Sequence, residues 1–209
     1  MRIKILITSI IITLSALVAQ AQWGVGFKIG GNITTSSQPE YLEAMFGEIN
    51  SRTNFTGGMR VGYTFNRFLD VDAELLFTAK GFNQEGFYTQ TATHIARNLV
   101  VTSYYLELPL MAKIFPVREL GLNVQFGPNF GVLAYRYRSV TTTYVNHQYE
   151  VQGDKWFNFG VNVGIGYEHE QGFFTDLRYT HDLNDNFKRT DGEDGFREST
   201  VSLCIGYTF

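Results

Sequence analysis

The sequence predicts an all-β chain, an eight-stranded antiparallel up-and-down transmembrane β-barrel with short periplasmic turns and long extracellular loops. Three observations point there. Apolar residues recur with a period of two in segment after segment, which is the strand signature. Short connections between those segments alternate with long ones, the layout of an outer-membrane barrel. Aromatics make up 15% of the 209 residues and glycines number 21, while charged residues reach only 18%. A mean hydropathy of −0.10 excludes a helical membrane protein, and the aromatic content excludes a disordered one. The net charge of −3 argues against nucleic acid as a partner, since that role needs a basic footprint.

Residues 1–21 have the pattern of a cleaved signal peptide. Arg2 and Lys4 precede an apolar run, and Ala19-Gln20-Ala21 supplies a small-x-small cleavage site. The run is short for a spanning helix, which needs about 20 residues. The division is therefore 1–21 leader and 22–209 barrel domain, and no Cys follows the cut to carry a lipid.

The strands follow in order. Trp23, Val25, Phe27, Ile29 and Ile33 alternate with Gly24, Gly26, Lys28, Gly30 and Asn32. Phe55–Phe65 sets Met59, Val61 and Tyr63 against Arg60 and Thr64, and Leu69–Lys80 sets Val71, Leu75 and Phe77 against Asp70, Asp72 and Glu74. Leu106–Ile114 opposes leucines to Glu107, Pro109 and Lys113. Leu120–Phe126 opposes Leu122 and Val124 to Asn123 and Gln125. Phe157–Glu168, Phe173–Leu183 and Thr200–Phe209 complete an even set of eight. Pro109 lacks a ladder donor, so a bulge or local irregularity is expected there.

Asn66-Arg67, Pro116–Glu119 and His169–Gln171 read as short turns. Residues 35–54, 83–98, 139–155 and 184–195 read as the long loops. One face of the strands is small or charged, and its many glycines suit a narrow lumen. A soluble barrel would bury the apolar face instead, and that alternative predicts reversed faces. Lys28, Arg60, Lys80, Lys113 and Arg178 stand on the small face with Asp70, Asp72, Glu74, Glu107 and Asp176, joined by Glu168. Near-balanced charge in a barrel of this size predicts a packed salt-bridge lumen. Glu107 is expected to pair with Lys113 or Arg60, and Asp176 with Arg178. Trp23, Phe65, Tyr167 and Phe173, with Tyr207 and Phe209, gather at the short-turn end, where an interfacial girdle is expected.

Little else carries chemistry. The lone Cys204 excludes a disulfide or cysteine zinc site, and no cofactor or metal is expected. His94, His147, His169 and His181 lack ligand spacing, while Ser103 and Ser199 would need an oriented histidine to act as nucleophiles. Asp182–Glu193 has acidic spacing like a calcium loop but Phe187 where glycine is required, so it reads as a solvated loop. The loop aromatics Tyr41, Phe46, Phe87, Tyr88, Tyr144 and Tyr149 offer binding surface.

Two stretches go beyond patterning. Tyr105–Pro116 reads YLELPLMAKIFP, and Gly127-Pro128 with Gly131 follows in VQFGPNFGVLAY. Together with Gly30-Gly31-Asn32 and the terminal Gly206-Tyr207-Thr208-Phe209, these resemble the PorT-like outer-membrane β-barrel family. That resemblance implies outer-membrane residence, usually no enzymatic activity, and in some members a link to type IX secretion. Leu203, Ile205, Tyr207 and Phe209 resemble the signal that the barrel assembly machinery recognises. The expected function is thus a non-catalytic outer-membrane barrel, an envelope component or an accessory to surface-protein export. Its expected partners are outer-membrane lipid, the assembly machinery, and secreted or surface proteins at the outer loops. A small passive channel is the alternative, and an enzyme acting on lipid or peptide is a third.

Overall fold

The computed structural model describes residues 22–37, 49–90, 93–142, 146–150, 155–184 and 197–209. Its strands are β1 Trp23–Ser37, β2 Ile49–Thr64, β3 Leu69–Gln90, β4 Thr93–Ile114 and β5 Leu122–Thr142. They continue as β6 Asn146–Glu150, β7 Phe157–Glu168, β8 Phe173–Asp182 and β9 Arg197–Thr208. Every pairing is antiparallel. All but β6 close a barrel of eight, each strand beside its sequence neighbour and β9 returning to β1. Closure removes the free edges that a bilayer could not solvate.

The faces settle which solvent surrounds the barrel. Leu106, Met59, Val163, Ile29 and Ile205 on the outer wall are 46 to 64% exposed, whereas Lys28, Asp72, Glu74, Lys80 and Arg178 are buried inside. The reversed arrangement of a soluble barrel is excluded. The wall is stable only where hydrocarbon replaces water.

The short-turn end is tightly made. Asn66 Oδ1 accepts the N–H groups of Phe68 and Leu69, an Asx turn that joins β2 to β3. A single 3-10 turn, Arg118–Leu120, leads from β4 to β5 and ends on Gly121 at φ 69°, a left-handed conformation that glycine adopts without strain. Leu120, read from sequence as the start of a strand, belongs to that turn. Arg118 donates to the carbonyls of Arg67 and Asn66 and pairs with Asp70, so one side chain ties two turns together.

The other end differs from the sequence reading. β3 and β4 are each 22 residues long and stay paired up to Gln90↔Thr93, so most of the expected loop 83–98 is a hairpin. A spanning strand needs about 9–11 residues, and roughly half of each strand therefore stands beyond the bilayer. β1 and β2 also extend into the expected loop 35–54. The expected loop 139–155 contains the end of β5 and the added strand β6, which pairs with β5 alone. Beyond the membrane both faces meet water, so the apolar alternation stops while the ladder continues. A small apolar cluster of Phe82 and Val101, with Ile49 and Leu99, packs the base of this extension.

Pro109 interrupts the ladder without shifting it. Ala73↔Leu110 and Leu76↔Glu107 keep one register across the gap. The register shift between β4 and β5 lies higher, at Tyr104/Tyr105, where Ala134 is the extra residue.

Candidate functional site

The lumen is the first candidate, and its ten named charges are all buried. They fall into three layers. At the periplasmic side Lys113 Nζ sits 2.5 Å from Asp72 and 2.7 Å from Glu168, and Arg60 reaches Glu168 at 3.0 Å. Phe174 seals this layer, its ring under Arg60 at 4.2 Å and Lys113 at 5.7 Å. In the middle, Arg178 grips both oxygens of Glu74 at 2.8 and 3.0 Å. Lys28 bridges Glu74 at 2.9 Å and Asp176 at 3.2 Å. Toward the outer mouth Lys80 joins Glu107 at 2.8 Å and Asp182 at 3.4 Å. Asp70 stands apart at the periplasmic mouth, on Arg118.

One expected pairing is replaced and one is present. Glu107 pairs with Lys80 rather than Lys113 or Arg60. Glu107 and Lys113 lie six residues apart on one strand face, about 20 Å along the strand, so they belong to different layers. Asp176 does approach Arg178, at 3.8 Å, but the principal partner of Arg178 is Glu74.

Between the middle and outer layers lies a neutral belt. Thr56 and Thr78 share a hydrogen bond at 2.8 Å, Thr34 and Thr200 at 3.1 Å, and Thr180 donates to Asn162 at 2.6 Å. The cavity left in this belt is about 20 Å³, room for about one water. At this level the described lumen is packed by its side chains.

The network contains residues that the sequence reading did not assign to it. Asp182 accepts from Asn158 at 2.6 Å. Arg136 donates to Ser103 at 2.7 Å and to the Tyr105 hydroxyl at 2.8 Å, and Glu198 is fully buried. Parity along β8 and β9 would have found Asp182 and Glu198. Arg136 was hidden, because the extra residue Ala134 reverses the inward parity of β5 above it.

The outer wall carries the other named residues. Trp23, Phe65, Phe173 and Phe209 are exposed on it near the turn end, with Tyr167 on the same rim. Ring contacts connect them through Tyr63 and Tyr207: Trp23–Tyr63 at 4.9 Å, Tyr63–Phe65 at 4.7 Å and Phe173–Tyr207 at 5.0 Å. Leu203 and Ile205 point outward above them, 59 and 64% exposed. A second aromatic group, unassembled from the sequence, lies toward the other rim. It includes Phe77 stacked on Tyr104 at 5.7 Å, Tyr135 edge-on to Tyr137 at 4.1 Å and Trp156 beside Phe157.

The candidate nucleophiles are placed as follows. Ser103 holds Arg136 in the outer lumen. Ser199 lies 2.9 Å from His181 Nδ1 on the outer wall, while Asp182 points into the lumen. Adjacent strand residues face opposite ways, so Asp182 does not orient that imidazole. The acidic loop contributes only its first residues to the described structure, and Asp182 there is committed to Lys80. Tyr41, Phe46 and Tyr144 lie outside the described residues, as do residues 1–21. The side chains of Phe87, Tyr88, Tyr149, His94 and His147 also lie outside them.

Comparison with known proteins agrees with this geometry. No curated protein matches the chain in sequence. Among solved structures, Ail, the attachment invasion locus protein of Yersinia pestis, aligns at 12% identity with a TM-score of 0.50. The alignment covers 90% of this chain and 99% of that one and shows a shared fold. Neisserial surface protein A aligns at 12% identity and TM-score 0.44, covering 88% and 97%. OprG of Pseudomonas aeruginosa aligns at 12% and 0.42, covering 90% and 97%. A family model described as outer membrane protein beta-barrel domain matches residues 18–188. With its inverted faces, closed ladder and family match, the chain belongs to the outer membrane protein beta-barrel domain family and is an integral protein of the outer membrane.

Proposed function

We propose that this protein is a non-catalytic, non-conducting barrel that works through the sheet it raises above the outer leaflet. It would act as an envelope component or an accessory to surface-protein export. The supporting observation is the division of the molecule. Three charge layers fill the lumen, whereas β3, β4 and β5 continue well past the span. A transport role would leave the long hairpins unexplained and would require the layers to part. The YLELP stretch favours a PorT-like role within the broad family. Residues 1–21 act in this reading as the export leader, Leu203, Ile205, Tyr207 and Phe209 as the assembly signal, and the rim aromatics as girdle.

Gene deletion tests it, with comparison of the proteins on the cell surface and in the medium. Selective loss of exported surface proteins is the expected result. An unchanged profile refutes the export role and leaves an envelope component. Steady single-channel conductance from purified protein in planar bilayers would refute the sealed lumen and restore the channel alternative.

A further inference from the structure

The membrane-facing wall is uneven in one sector. Around Tyr167 on β7 and Thr175 on β8, two apolar grooves of about 390 and 430 Å³ share these two residues as a common wall. One runs beside Leu122, Val124 and Leu177 and ends at Pro116. The other runs beside Phe27, Phe173 and Ile205 and ends at His169.

Sequence explains the dent. Thr175 stands in the ladder between Tyr167 and Ile205, and is the small residue among large ones. Its hydroxyl donates to the Cys204 carbonyl at 2.9 Å, so it offers no polar atom to the groove. The result is a forked, apolar furrow split by a tyrosine, at the level of the periplasmic girdle.

A second feature marks the polar end. His169 Nδ1 accepts the Gln171 N–H at 3.2 Å. That bond places the ring proton of the neutral imidazole on Nε2, leaving a donor at the membrane–water boundary. A donor at headgroup level above two apolar channels is the complement of a phosphate that carries two acyl chains.

We propose that the furrow holds one diacyl glycerophospholipid of the periplasmic leaflet, with an acyl chain on either side of Tyr167 and its phosphate on His169 Nε2. A second copy of the barrel fits less well. Its convex wall would rest on the rims at Ile205 and Leu177 and leave the fork unfilled.

Native mass spectrometry of the full folded protein, delipidated in mild detergent and titrated with phosphatidylethanolamine, tests this. The expected result is a one-to-one lipid adduct that survives detergent release. Thr175→Phe fills the fork and should lower occupancy severalfold, because the acyl chain loses its packing contacts with the groove walls. Val71→Phe, on a wall remote from the furrow, should leave occupancy unchanged. In wild type phosphatidylethanolamine should outcompete diacylglycerol, and in His169→Ala the two should bind alike. Each variant is first shown to keep the heat-modifiable gel migration of a folded barrel, which separates lost lipid from lost fold. The proposal is overturned by absence of the wild-type adduct, by equal occupancy in Thr175→Phe, or by a dimer that Thr175→Phe dissociates. A headgroup preference that persists in His169→Ala overturns the phosphate contact.

Discussion

Glu74 is the carboxylate on which the middle layer depends, and Glu74→Ala gives the sharpest test of the lumen. It binds Arg178 through both oxygens and Lys28 through one, and the three side chains are 3% exposed or less. Removing it leaves the two cations with the Asp176 carboxylate at 3.2 and 3.8 Å and Arg178 with the neutral Gln125 oxygen at 2.9 Å. Water cannot enter freely to replace the lost charge, because charge layers close the lumen above and below. Breaking a buried pair in this way costs about 3–5 kcal/mol, a large share of an ordinary stability of about 5–15 kcal/mol. Urea unfolding in phospholipid vesicles reads the loss as a lower midpoint, followed by the emission of Trp23 and Trp156, both exposed on the wall. Glu74→Gln, which retains acceptor and shape but not charge, should fall between wild type and Glu74→Ala. A loss below about 1 kcal/mol would refute the reasoning, because it would mean that the layer is wet and its pairs behave like surface ions.

Glu107→Ala, which leaves Lys80 with Asp182, should destabilise the barrel by a similar few kcal/mol. A double-mutant cycle with Lys80→Met should show coupling of at least about 1 kcal/mol. A Cβ at Gly206 would lie 2.3 Å from the Phe174 ring and 2.3 Å from the Phe27 carbonyl oxygen. Gly206→Ala should therefore cost about 1–3 kcal/mol, read as a reduced yield of heat-modifiable protein. Orientation is checked by cysteine labelling in intact cells with an impermeant maleimide. Glu85→Cys on the raised hairpin should react at once, and Glu119→Cys in the 3-10 turn only after permeabilisation. The native Cys204, 1% exposed, should react in neither case. Removing Phe209 should lower the amount of assembled barrel without changing the unfolding midpoint of the fraction that folds, if that residue serves the assembly machinery.

The sequence carried the membrane-embedded half of the fold. Period-two alternation from Trp23 to Ile33 or from Phe157 to Glu168 arises because one face meets hydrocarbon and the other a polar lumen. That contrast is strong enough to show in a single chain. The same reading lost the strands where they leave the bilayer. Residues 83–90 and 93–98 keep their hydrogen bonds, yet no apolar contrast remains to mark them.

The charged side chains were likewise legible as a set but not as pairs. Lys113 and Glu107 share a strand face and still sit in different layers. Which charges meet depends on register between strands, and register depends on bulges such as Ala134 that reverse parity above them. Arg136 entered the lumen for that reason alone. The forked furrow is a tertiary feature in the same sense: Thr175 is small in the sequence, but only its neighbours across two ladders make it the floor of a groove. The sequence by itself determined the solvent on each face, because burial energy acts residue by residue along a strand. Partnership across the barrel was decided by the tertiary structure, because ion pairs and grooves form between strands that the chain brings together only on closure.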